Sequence, residues 1–106
     1  MRELCATELH AYLARSEQAP VLLDVREPWE FDTCHIKGSV LMPMRSVQQR
    51  LSELDTVGET VVICHHGIRS RIIARLLEQA GFSNIINLSD GIDGWAKYID
   101  PTMPTY

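Results

Sequence analysis

Thr60-Val61-Val62-Ile63-Cys64-His65-His66-Gly67-Ile68-Arg69-Ser70 is the stretch that decides how this chain folds. Its first four residues are rich in β-branched side chains and show no polar alternation, the form of a strand buried on both faces. Cys64 ends the run, and His65-His66-Gly67 reads as a loop. From Ile68 to Ala80 the pattern becomes helical: Ile72, Ile73, Leu76 and Leu77 share one side, Arg69, Arg71, Arg75 and Glu78 occupy the rest, and Gly81 supplies the stop. The segment is therefore strand, loop and helix in immediate succession.

The same alternation continues in both directions. Upstream, Leu9, Ala11, Tyr12 and Leu13 predict a short amphipathic helix over Ala6 to Arg15. Val21-Leu22-Leu23, closed by Asp24, predicts a second buried strand, and Pro28 is placed as the first residue of a helix through Trp29 and Phe31. Val40-Leu41-Met42 predicts a further strand ended by Pro43, and Val47, Leu51 and Leu54 predict a helix from Ser46 to Leu54. Downstream, Ile85 to Leu88 reads as a strand and Gly91 to Ile99 as a closing helix containing Trp95. Strand and helix signals alternating at roughly 20-residue spacing indicate an α/β domain with a largely parallel sheet and helices on both faces. Trp29, Trp95 and Tyr98, at helical spacing, are expected in the core or the crevice wall.

A chain of 106 residues with 45% hydrophobic content suits one domain with one core. A formal net charge of -4 argues against a nucleic-acid or anionic-membrane partner, each of which needs a basic face. Arg2, Glu3, Glu8, Arg15 and Glu17 leave no apolar leader near the start, so a soluble, cytoplasmic protein is the expectation. Cys5, Cys34 and Cys64 form an odd set without a CxxC pair, which disfavours a disulfide framework. With His10, His35, His65 and His66 they match no zinc template, so neither metal nor cofactor is expected.

In α/β sheets the functional crevice lies beyond the carboxyl ends of the strands, where Asp24 and Cys64 both fall. A free cysteine is only slightly ionised at neutral pH, so a nucleophilic role needs an environment that favours the thiolate. A loop whose N–H groups converge at a helix start provides one. Arg69, Arg71 and Arg75 make this segment locally basic and imply an anionic substrate. The plainer alternative is a buried core cysteine beside a solvated arginine face.

Several segments together resemble the rhodanese homology family. Leu23 to Phe31, with His35-Ile36, Gly38 and Pro43, is similar to the segment preceding that family's active site. Cys64 to Ser70 resembles its C-x-x-G-x-R-S loop, and Gly91-Ile92 with Trp95 resembles its closing turn. Cys34 and Asp90 stand where glycine is usual and Lys37 where proline is usual, which leaves the local turns open. The resemblance covers nearly all of residues 1–106, read as a single rhodanese-like domain. It implies a five-stranded, mostly parallel sheet and a thiosulfate sulfurtransferase reaction through a Cys64 persulfide, passing sulfur to a thiol, cyanide or a sulfur-carrier protein.

In that reading Cys64 is catalytic, and the backbone of His65, His66, Gly67, Ile68, Arg69 and Ser70, with the Arg69 side chain, holds the substrate's charge. Asp24 and Arg26 are expected as a supporting ion pair. The rings of His65 and His66 are expected to shape access, and Cys5 and Cys34 to be structural. The tail through Ile99-Asp100-Pro101 and Pro104-Thr105-Tyr106 resembles rhodanese domains attached to enzymes that activate ubiquitin-like proteins, which points toward a carrier-protein acceptor. Two alternatives belong to other classes: a catalytically silent binding module, and a phosphatase with a Cys-loop-Arg cradle. The latter class has five residues between cysteine and arginine, whereas four separate Cys64 from Arg69.

Overall fold

The computed structural model describes residues 1–106. Five parallel strands form one sheet: β1 (Arg2–Leu4), β2 (Val21–Asp24), β3 (Val40–Leu41), β4 (Thr60–Ile63) and β5 (Ile85–Leu88). They lie in the order β1-β5-β4-β2-β3. Four α-helices accompany them: α1 (Ala6–Arg15), α2 (Pro28–Thr33), α3 (Ile68–Gln79) and α4 (Gly91–Tyr98).

Strand alternation divides the core into two layers. Val61, Ile63, Ile86 and Leu88 point to the face covered by Ala6 and Leu9 of α1 and Ile92 and Trp95 of α4. Leu23, Val62, Cys64 and Ile85 point to the opposite face and pack against Ile73, Ala74 and Leu77 of α3, with Met42, Val47 and Phe82. Helices on both faces explain why β4 and β5 show no alternation of buried and exposed positions: every residue of both strands is buried, Asn87 included.

Two expectations are corrected. The segment from Ser46 to Leu54 is not an α-helix but two short 3-10 turns, Met44–Ser46 and Gln48–Glu53, with Arg50 at φ -115 and ψ 18 outside helical geometry. Val47, Leu51 and Leu54 still pack on the core, so helical spacing alone did not require an α-helix. The aromatic set expected in the core or the crevice wall also splits: Trp95 is buried and Trp29, though 60% exposed, meets Tyr106 edge-on, whereas Tyr98 is 58% exposed.

Strand β1 was not expected from the sequence. Arg2-Glu3-Leu4 has no strand period and pairs with β5 only through tertiary contact, with Glu3 opposite Asn87. Asp24 pairs with Ile63 across β2 and β4, so the chain leaves the carboxyl ends of two adjacent strands side by side. From β2 it moves outward to β3, and from β4 the other way to β5. The crevice between them is thus a topological switch point, where ligands of α/β sheets bind.

Candidate active site

The loop after β4 carries Cys64, 1% exposed, with its sulfur turned into the loop. The Gly67 N–H donates to Cys64 Sγ at 3.1 Å, and Cys64 Sγ lies 3.3 Å from Ser70 Oγ. As a thiol it donates to that hydroxyl; as a thiolate it accepts from it. Ser70 is fully buried in the first turn of α3. The helix start therefore supplies a hydroxyl, one amide and its partial positive charge to the sulfur.

Two glycines make this arrangement possible. Gly67 is left-handed, with φ 93 and ψ -2, and a Cβ there would lie 2.1 Å from the Ser89 carbonyl oxygen. Gly91, at φ 63, lets α4 press on the loop, since its Cβ would meet the His65 carbonyl oxygen at 2.2 Å. The close approach allows Ile92 N–H to donate to the Cys64 carbonyl at 2.8 Å and Asp93 N–H to the His65 carbonyl at 3.1 Å. The first free amides of α4 thus satisfy the loop's carbonyls and hold them away from the sulfur.

The positions where the sequence departs from the usual glycine are accommodated. Asp90 has φ -104, which any residue adopts, and its Oδ1 accepts the Ala6 N–H at 2.9 Å, tying α1 to α4. Cys34 is extended, at φ -166, and its carbonyl accepts Arg26 Nη2 at 2.6 Å.

Asp24 and Arg26 form the expected ion pair, both wholly buried, with Nη2 to Oδ2 at 2.7 Å and Nε to Oδ1 at 2.9 Å. Arg26 also donates to the carbonyl of Glu30 and to the hydroxyl of Tyr106 at 2.8 Å. It is a girder beneath the crevice, holding α2 and the end of the chain to β2.

Arg69 has a partner within the protein. Two of its N–H groups form a fork on the Glu30 carboxylate, Nη1 to Oε1 at 2.8 Å and Nη2 to Oε2 at 2.9 Å, leaving three for another acceptor. Arg69 holds the Glu30 carboxyl down to about 2, helped by the Glu27 amide and the Tyr106 hydroxyl. Tyr106 Oη donates to Glu30 Oε2 at 2.8 Å, and its ring stacks on His65 at 4.1 Å between centroids. Burial pushes the Tyr106 hydroxyl up to about 12, so it stays a donor. Glu30 and Tyr106 had no role in the sequence reading. Their partners lie far away in the chain, and only their place in the resemblance marked them.

The rings of His65 and His66 lie beside the loop, and Trp29 meets Tyr106 edge-on, so one wall is aromatic. Burial and the neighbouring His66 push His65 below its ordinary value, which keeps its imidazole neutral near pH 7. His65, His66 and Asp93 bring ligand atoms within 4.8 Å of one another. The two rings, however, stack at 3.9 Å with planes 31° apart, so their in-plane lone pairs do not converge on one ion unless a ring turns. Ile68, the first residue of α3, is 65% exposed. No helix is long and apolar enough to cross a membrane.

Known proteins share this architecture. A rhodanese-related protein of Thermoplasma volcanium superposes with a TM-score of 0.81 at 31% identity, covering 92% of each chain. In sequence, the chain is 37% identical over 82 residues to the thiosulfate sulfurtransferase GlpE of Pseudomonas syringae pv. syringae, 77% of either protein. It is 39% identical over 80 residues to YrkF of Bacillus subtilis, whose name describes a candidate sulfur carrier protein; the match takes in 76% of this chain but only 43% of YrkF. The family model described as "Rhodanese-like domain" matches residues 6–98. With the parallel sheet, the loop after β4 and relatives of this kind in agreement, the chain belongs to the rhodanese-like domain family.

Proposed function

We propose that the protein is a sulfurtransferase that carries sulfane sulfur on Cys64, with residues 1–106 acting as one unit. The observation that supports this best is the setting of Cys64 Sγ at a helix start, with the Gly67 N–H at 3.1 Å and the Ser70 hydroxyl at 3.3 Å. Both groups can donate a hydrogen bond to the sulfur when it carries negative charge, as the nucleophilic form does.

The Cys64 thiolate attacks the outer sulfur of an anionic donor such as thiosulfate. The new S–S bond forms as the sulfur–sulfur bond of the donor breaks, and sulfite leaves with the bonding electrons. The persulfide left on Cys64 keeps its negative charge within the loop, held by the amides of His65 to Ser70 and the remaining N–H groups of Arg69. An acceptor thiolate, or cyanide, then attacks the outer sulfur and restores the Cys64 thiolate. Asp24 and Arg26 support the crevice without touching the reacting atoms. The exposed Trp29 and Ile68 give the mouth an apolar rim, which suits a protein acceptor such as a sulfur carrier better than a small thiol.

Intact mass after thiosulfate treatment tests the reading. A gain of one sulfur atom that a reductant removes and Cys64→Ser abolishes is the expected result. No gain, or one that persists in Cys64→Ser, would refute it and favour a silent binding module.

A further inference from the structure

Asn87 is a wholly buried polar residue in the middle of β5, on the face that α3 covers. Its neighbours in register are Glu3 on β1 and Val62 on β4. The nearby side chains of this face, Val62, Ile85, Ile73 and Leu77, are apolar. A carboxamide is costly in such a place unless its groups are paired.

Half of it is paired. Asn87 Nδ2 donates to the Gly67 carbonyl at 3.3 Å and to Glu3 Oε1. Asn87 Oδ1 has no partner. Exchanging the amide's oxygen and nitrogen would not help, because the oxygen would then face a carboxylate and a carbonyl, two acceptors. The orphaned oxygen is thus the consequence of directing both donors at Glu3 and Gly67.

Gly67 is where that direction matters. Its N–H makes the 3.1 Å bond to Cys64 Sγ, while its carbonyl accepts from Asn87 and from the Arg71 amide. Glycine has the least backbone preference of any residue, so its φ of 93 and ψ of -2 must be imposed from outside. Glu3 is in turn anchored by Arg71 Nε at 2.9 Å. A continuous polar chain therefore runs from Arg71 through Glu3 and Asn87 to Gly67 and the sulfur.

We propose that Asn87 is a positioning residue that fixes the Gly67 peptide and so keeps its N–H aimed at the Cys64 sulfur. This deepens the sulfurtransferase reading of Cys64 and rests on it for its meaning, though not for its test. Replacing the carboxamide leaves the Gly67 carbonyl with only the Arg71 amide, at 3.3 Å, and so loosens the glycine. The thiolate then loses an amide partner.

The test is the rate of Cys64 alkylation by iodoacetamide, resolved by peptide mass, at pH 7 and at pH 10, in the full chain. At pH 7 the rate follows the thiolate fraction; at pH 10 it approaches the intrinsic rate. Asn87→Leu should slow the pH 7 rate about tenfold, the scale of one hydrogen bond to a charged group, and leave the pH 10 rate within about twofold. Ile86→Val, a neighbouring core change with no link to the loop, controls for loss of stability and should leave the ratio of the rates as in wild type. An unchanged ratio in Asn87→Leu, or an equal change in Ile86→Val, would overturn the proposal. If Asn87→Leu yields no folded protein, the same ratio in Asn87→Ala decides. Alkylation needs no sulfur donor, so failure of persulfide formation and failure of this positioning role are read separately.

Discussion

Glu30→Gln removes one charge from the crevice and keeps the side chain's shape. In the wild type, Glu30 Oε1 accepts from Arg69 Nη1 at 2.8 Å and from the Glu27 amide at 2.9 Å. Oε2 accepts from Arg69 Nη2 and Tyr106 Oη at 2.9 and 2.8 Å. A carboxamide can accept at only one end, so its NH2 group must face at least one of these donors. The Arg69 fork holds the Glu30 carboxyl at about 2, against an ordinary value of 4.5. Because Glu30 is only 4% exposed, that depression corresponds to at most roughly 3 kcal/mol of stability at neutral pH. The folded value is the lower one, so the contribution is complete above the unfolded value and is lost as pH falls from about 4.5 toward 2; roughly 2 kcal/mol of it is gone by pH 3. Urea denaturation of wild type and Glu30→Gln at pH 7 and pH 3 measures this directly. The stability gap between the two proteins should narrow by roughly 2 kcal/mol at the lower pH. A gap of equal size at both pH values would refute the assignment of the Arg69–Glu30 fork as a strong, charge-dependent tie.

Asp24→Asn should cost about 3–5 kcal/mol, because it leaves the Arg26 guanidinium buried without its counter-charge; thermal melting checks this, and a loss under about 1 kcal/mol would count against the buried pair. Gly67→Ala should lower Tm far more than Gly81→Ala, although both glycines have positive φ. The new methyl at Gly67 meets the Ser89 carbonyl at 2.1 Å, whereas nothing lies within 4 Å of one at Gly81, which leaves only a backbone cost of about 1–2 kcal/mol there.

The parts of the fold that could be read from sequence are those whose signal is local. Thr60 to Ile63 and Val21 to Asp24 are short apolar runs with polar ends, and Ile68 to Gln79 has a complete helical period, so each announces itself without knowledge of its neighbours. Strand β1 does not. Arg2, Glu3 and Leu4 become a strand because β5 offers an edge, and Glu3 because Asn87 offers a donor. The 3-10 turns around Val47 and Leu51 failed for a related reason, since apolar spacing fixes which side chains face inward but not the backbone that delivers them.

The candidate site divides the same way. Cys64, Gly67 and Ser70 lie on one strand-loop-helix junction, and the sequence places them together. Asp24 and Arg26 are two residues apart and could be paired by proximity. The fork from Arg69 to Glu30 spans 39 positions and the bond from Tyr106 to Glu30 spans 76, and no local pattern reports such distances. The arginine that sequence reading assigns to an anion proves to have a carboxylate already in hand.

Tyr106 is stacked on His65, bonded to Arg26 and Glu30, and in edge contact with Trp29, whereas the amino group of Met1 sits at Glu78 near the end of α3. Residues 1 and 106 are therefore unequal as points of attachment. A purification tag, fluorophore or fused partner joined after Tyr106 would begin its path at the wall of the Cys64 crevice, and could change the behaviour it was added to observe. The same attachment at Met1 would begin beside the far end of α3, away from the start of that helix where the sulfur lies. For the reverse purpose, bringing a donor or acceptor domain to Cys64, the end at Tyr106 is the one to use.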